Sequence, residues 1–362
     1  MGKVNMYADL KIRLEESIKE LRENGLKTES LSIGDWEGLH KEFIEVVDKY
    51  GRLIDKNLQS FRGICIGVWD EPRVTIRNYY LDHPLWRILV RILYVVKGRK
   101  RGAVKEALIN FRVIEEKGYL NLLGKYPNPS IGKPFNIDYR GYHFTNRYLR
   151  HIYFLGMFNE RVAPHLPEKP IILDIGSSYG LFSSLVKQES PKSRHVLVDM
   201  PISLLLAHYY LQTLFPNARV AGFDDVANVE KINRKFIENY DFVLLPISMY
   251  EKLESDSIDL VTNFVSFAEM SSEWFRKYFN SAPVLSAPFL FTVNRYDSQP
   301  SYSNNITILD YPFGRYETIY MRTCPILLWS FKECAFFWCR KVRYPSEFFQ
   351  FVGRQRDLMK HT

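Results

Sequence analysis

Cysteine is scarce in this chain. Cys65, Cys324, Cys334 and Cys339 are the four in 362 residues, and no two form a Cys-x-x-Cys pair. That spacing argues against zinc and dithiol redox motifs, and it sets up no disulfide framework in a chain of this size. No cluster of His and acidic residues signals a metal, although the adjacent Asp224 and Asp225 leave room for a divalent ion. Long apolar runs are missing as well. Nothing approaches the ~18 residues of a membrane-spanning helix, and the N-terminal MGKVNMYADLKIRLEES lacks the apolar core of a signal peptide. Met6 stands where the acylation pattern wants Ser or Thr, which discounts Gly2 as a lipid site. There is no internal repeat and no low-complexity tract. These absences fit a reducing cytoplasm.

What is present is an ordinary globular composition, 46% hydrophobic and 25% charged, enough for one large domain with an extension or for two domains. Aromatic residues reach 15%, which suits large cores and also ring platforms for a sugar or a base. The net charge of +8 suits an anionic lipid, nucleic acid or glycan without choosing among them.

Residues 1–125 read as mainly helical. Leu10, Leu14, Ile18 and Leu21 share a helical face, as do Phe43, Val46, Val47 and Tyr50. Pro84–Val96 repeats the pattern before the basic Lys97, Arg99, Lys100 and Arg101. That stretch fits a core helix with a solvated basic loop, and equally an interfacial helix on an anionic membrane at the inner face. Residues 126–136 (YPNPSIGKPFN) hold three prolines and mark a connection. The polar and aromatic segment 137–160 follows, placed to cover a ligand. The expected organisation is a helical part (1–125), a connector and cover (126–169), and a ligand-binding domain (170–362).

From residue 170 strand and helix alternate. Short apolar runs at Ile171–Ile175, Val196–Val198, Phe242–Leu245, Ile258–Phe264 and Phe289–Val293 read as buried parallel strands. Tyr179–Gln188 and the stretch from Pro201 to Leu214 read as helices, as does one capped by Ser271 or Ser272 with Trp274, Phe275, Tyr278 and Phe279 inward. Tyr316–Arg322 and Phe348–Gly353 read as a closing strand pair. The predicted fold is α/β, a doubly wound sheet with a helical N-terminal extension.

Such a sheet binds ligands beyond the carboxyl ends of its strands. Here the first strand ends in Asp174-Ile175-Gly176-Ser177-Ser178-Tyr179-Gly180. A dinucleotide turn wants glycine where Ser178 and Leu181 stand, and Asp174 beside the turn repels phosphate and suits a cation. S-Adenosylmethionine fits that chemistry: a sulfonium, an ammonium, a carboxylate and a ribose diol, with no phosphate. Asp199, closing the second strand with Met200 beside it, is placed to take both ribose hydroxyls.

The runs LDIGSSYGLFSSLV, VLVDMPISLLLAHYYLQTLFP, VLLP and IDLVTNFVSFAEMSSEWFRKYF, with the ending FFQFVGR, resemble a sugar O-methyltransferase family of bacterial surface-glycan clusters. The resemblance covers about residues 130–353, and its most specific segment is Asn263-x-x-Ser266-Phe267-x-Glu269-Met270. One departure is serine at 177 and 178, where the family has more glycine. The resemblance implies a class I methyltransferase-like fold and activity. It places Asp174, Gly176 and Gly180, with Ser178 in the same turn, at the methionine end of the cofactor, and Asp199 on the ribose. It further places Leu245, Pro246 and Met249 around adenine, and Asn263 and Phe264 near the transferred methyl.

A sugar hydroxyl is a poor nucleophile and needs a base. Glu269, after the fourth strand, is the first candidate; His143 and His151, in the covering segment, are the second and third. No metal ligand set is expected. The expected partners are a sugar or glycan acceptor and, peripherally, an anionic membrane, and nucleic acid is not among them. Two rivals stand beside this reading: a nicotinamide-dependent enzyme of sugar nucleotides, and a scaffold that has lost its site.

Overall fold

A computed structural model describes residues 99–134, 136–298, 305–327, 330–335, 338–343 and 347–356. The helices expected over Leu10–Leu21, Phe43–Tyr50 and Pro84–Val96 lie outside the described residues. Helices α1 (Arg99–Glu116) and α2 (Leu120–Lys125) come first. The connector leads into a hairpin of β1 (Ile137–Tyr139) and β2 (Tyr142–Phe144), which turns through Arg140 and Gly141, both at positive φ. The covering segment is therefore a hairpin followed by a helix, α3 (Asn146–Arg161). Thr145 caps α3, its side chain accepting from the Tyr148 amide at 3.1 Å.

The alternating part follows as β3 (Ile171–Ile175), α4 (Leu181–Glu189), β4 (Arg194–Asp199), α5 (Pro201–Leu214), β5 (Val220–Ala221), α6 (Phe223–Ala227), α7 (Arg234–Glu238), β6 (Phe242–Pro246) and β7 (Leu260–Phe264). It ends with α8 (Ser272–Phe279), α9 (Ala282–Ser286), β8 (Phe289–Arg295), β9 (Tyr316–Thr323), the hairpin β10 (Ser330–Ala335) and β11 (Trp338–Arg343), and β12 (Phe348–Gln355). One sheet runs in the order β5-β6-β4-β3-β7-β8-β12-β9. Its members from β5 to β8 are parallel, and β12 is antiparallel to both β8 and β9. This is the doubly wound, Rossmann-like α/β fold expected from the alternation, its closing strands β9 and β12 included.

Strand β3 shows why the fold holds. Alternate side chains leave a strand on opposite faces, so Ile172 enters one apolar core while Ile171, Leu173 and Ile175 enter the other. The first core also contains Phe111 of α1, Tyr119, Leu122 of α2 and Phe154 of α3. Burial on both faces explains the continuous apolar runs of the sequence. The boundaries differ from expectation in one instructive place. Ile258 is buried yet outside β7, because the following Asp259 turns its carboxylate to accept the Ile171 amide at 2.7 Å and the Arg234 guanidinium at 2.7 Å. No helix among the described residues is long and apolar enough to cross a membrane.

Candidate functional site

The strand order reverses about β3, and a cleft opens there beyond the ends of β3, β4 and β7. Its floor is the turn after β3. Gly176, Ser178 and Gly180 all take left-handed φ (72°, 53° and 79°). At Gly176 an added Cβ would lie 2.0 Å from the Ser266 hydroxyl, so only glycine lets the turn and the β7 loop approach this closely. Ser178 holds its left-handed conformation without that freedom, and its amide donates to Asp199 Oδ2 at 2.7 Å. The serine departures therefore preserve the shape of the turn.

Two aspartates line the cleft, and their surroundings differ. Asp199, at the end of β4, accepts the Ser178 amide on one oxygen and the Met200 amide on the other, each at 2.7 Å. Burial pushes its pKa above the ordinary carboxylate value, against the pull of those two amides, of Ser203 and of the Arg147 charge. Each oxygen keeps further acceptor capacity toward a ligand. Asp174 accepts from Ser183 Oγ and Thr262 Oγ1, both at 3.0 Å. Burial raises its pKa to about 7; the hydroxyl bonds oppose that rise and the nearby Asp199 adds to it.

The opposite wall is one face of α3. Arg147, Arg150, His151 and Phe154 recur at i, i+3, i+4 and i+7 and all line the cleft. The Phe154 ring stacks on Phe264 at 4.6 Å and 9°, and Phe264 in turn packs on Phe182 at 4.5 Å. His151 Nδ1 lies 2.9 Å from the Arg147 carbonyl, which only accepts, so Nδ1 donates in that contact. Glu269 closes the short helical turn Phe267–Glu269 and lines the same cleft. Sequence reasoning missed Arg147, Arg150 and Phe154; their helical spacing was the available signal.

Of the residues named from sequence, the structure brings Asp174, Gly176, Ser178, Asp199, Met200, Phe264, Glu269 and His151 to one cleft. His143 is not among them. It lies exposed on β2, where its ring pairs with Asp138 across the hairpin. Gly180 caps α4 beneath the cleft, where a Cβ would meet Leu197 and Leu211, and so serves helix–strand packing. Leu245 and Met249 sit in the apolar core, Pro246 ends β6, and Ile247 is the residue of that loop lining the cleft. Asn263 is fully buried behind the cleft. Its amide donates to the Ile175 carbonyl at 2.7 Å and its oxygen accepts from Asn294 at 2.8 Å, so it clamps β3 to β7 and β8. Asp225 accepts the Gly222 amide as part of a helix cap. Among the described residues no group of three or more His, Cys, Asp or Glu is placed to hold a metal.

No protein-family model and no curated protein sequence matches the chain. Solved structures do resemble it, three of them as follows. TehB from Haemophilus influenzae aligns over 56% of this chain and 62% of its own, at 10% identity and a TM-score of 0.37. The M1A22 tRNA methyltransferase TrmK from Bacillus subtilis aligns over 54% and 64%, at 11% identity and 0.32. The pyocyanin biosynthetic protein PhzM aligns over 57% and 58%, at 13% identity and 0.31. The chain thus spans less than two thirds of the length of each of these three proteins.

Proposed function

We propose that the protein is an S-adenosylmethionine-dependent O-methyltransferase acting on a sugar hydroxyl of a bacterial surface polysaccharide or its precursor, at the cytoplasmic side of the membrane. The carrying observation is the pairing of Asp174 and Asp199 in one cleft around a turn whose Ser178 amide already donates to Asp199. A dinucleotide needs that amide for phosphate and meets two carboxyls instead. The cleft also fits the cofactor through its unpaired donors: Ser177 Oγ and Arg147 Nε are buried without a hydrogen-bond partner, and both residues line it.

When bound, S-adenosylmethionine supplies an electrophilic methyl on a sulfonium. The protein's own residues do the rest. Asp199 would accept the ribose hydroxyls, and Asp174 would answer the cationic end. The Phe154, Phe182 and Phe264 rings keep water from the transfer region, and alignment in such a site contributes about 7–11 kcal/mol. Glu269 would take the proton of the acceptor hydroxyl, and His151 is the second candidate base. The sugar assignment rests on the sequence resemblance. Calorimetric titration with S-adenosylhomocysteine beside NAD tests the cofactor: micromolar binding of the first alone supports the reading, and binding of NAD alone overturns it.

A further inference from the structure

The unpaired Nε of Arg147 has a more specific use than general fit to the cleft. Arg147 stands on the cleft face of α3, and its guanidinium carbon lies 5.1 Å from the centroid of the Tyr179 ring. Tyr179 is fully buried, held edge-on against Tyr210 at 5.0 Å, and directly follows Ser178 in the turn. The guanidinium is therefore fixed above the turn where the methionyl end of the cofactor belongs. Its charge is felt at Asp199, yet its Nε is buried and makes no hydrogen bond. The neighbouring Arg150 has a buried, unbonded Nε too, but its guanidinium is answered by Glu106 of α1 at 3.4 Å. A buried donor without an acceptor is costly. Ser177 Oγ is a second such atom, in the turn itself.

We propose that Arg147, assisted by the Ser177 hydroxyl, binds the α-carboxylate of the methyl donor, an inference that rests on the cofactor reading above. The charge pattern of the ligand supports it. Asp174 and Asp199 answer its cationic and hydroxyl parts, and only donors can answer its carboxylate. A guanidinium presents a planar fork that matches a carboxylate. Stacking on Tyr179 orders that fork before the ligand arrives, which lowers the entropy cost of binding.

The test compares two ligands that differ in the carboxylate-bearing portion. S-Adenosylhomocysteine carries the amino-acid end; 5′-methylthioadenosine keeps the adenosine and sulfur and lacks it. Calorimetry is run on the parent, on Arg147→Met, which retains a side chain over Tyr179, and on Arg147→Lys. Arg147→Met weakens S-adenosylhomocysteine by about 10- to 100-fold, the loss of a charge-assisted bond, and leaves 5′-methylthioadenosine unchanged within about twofold. Arg147→Lys falls between, keeping charge without the fork. Unchanged methylthioadenosine binding also shows that the variants fold. The inference is overturned if both ligands weaken equally, or if neither weakens and only transfer to the acceptor is lost, which assigns the guanidinium to an acid on the acceptor. A parent that binds neither adenosine ligand removes the cofactor reading itself, before any variant is compared.

Discussion

Asp174 gives the site a pH dependence whose sign follows from its burial. Its pKa of about 7 in the fold stands against an ordinary 3.8, so the folded state keeps a proton that the unfolded chain has already lost. The stability tied to that proton is complete below the unfolded value and declines as pH rises toward about 7. Urea unfolding of the ligand-free protein across this range shows the decline, and Asp174→Asn removes it; equal slopes in both proteins contradict the assignment. A cationic ligand group favours the carboxylate, so cofactor binding strengthens as pH rises to about 7 and releases a proton to the buffer. Asp199 has its carboxylate oriented by two backbone amides. Asp199→Ala weakens binding by ~1.5–3 kcal/mol, the loss of charge-assisted hydrogen bonds, and calorimetry reads the change. Glu269→Gln keeps size and most hydrogen bonding. It leaves cofactor affinity near the parent value and lowers single-turnover transfer by about 10²-fold or more; normal turnover moves the role to His151.

At the level of elements, the turn after β3 shows what glycine supplies. Gly176 and Gly141 share a left-handed φ, but a Cβ at Gly141 meets nothing within 4 Å whereas one at Gly176 meets Ser266. Gly141→Ala therefore costs only backbone strain, ~1 kcal/mol. Gly176→Ala costs that plus a clash worth ~1–3 kcal/mol, and it also displaces the cleft, so cofactor binding is lost. Thermal melts and titration of the two variants check the contrast. The same elements explain what the sequence disclosed. Strands β3, β6 and β8 were legible because burial on both faces makes them continuously apolar, and α5 because Pro201 opens it. Strand β5, with two residues, and the five-residue helices α6 and α7 are too short to carry a period. Asp174, Gly176 and Asp199 were legible because strand ends fix their place. Arg147 and Phe154 were not, since their place in the cleft depends on how α3 docks on a sheet that begins further along the chain. Around β6, Ile247 rather than Leu245 reaches the cleft, a shift of two residues from the end of the strand into the following turn that side-chain pattern does not resolve.

On the scale of the whole molecule, the cleft depends on the helices that precede the sheet. Glu106 of α1 accepts from Asn146 at 3.1 Å and from Arg150 at 3.4 Å, so α1 braces the start of the helix that walls the cleft. Phe111 of α1 stacks on Phe144 at 5.3 Å, just before that helix. Gly156, midway along α3, lets Tyr119 pack against it, where a Cβ would fall 2.5 Å from the ring. At the far side, Tyr153 of α3 donates to Gln350 of β12 at 3.0 Å, so the helix is held between the N-terminal elements and the last strand. Deleting residues 1–125 removes the bracing and exposes the apolar face of α3; methyl transfer is then abolished, and a truncated protein with full activity on the same acceptor contradicts this view. Phe111→Ala is the gentler test. It costs ~3–5 kcal/mol of stability for a buried ring and, by loosening α3, lowers transfer more than it lowers binding of 5′-methylthioadenosine, which needs no contact with Arg147. Were α1 only a passive cover, the variant would lose stability and show the parent's kinetics at temperatures where both are folded. Stability, ligand titration and single-turnover rate measured on one preparation separate the two cases, because positioning of α3 enters the rate and the Arg147 contact, whereas simple loss of core packing enters the melting temperature alone.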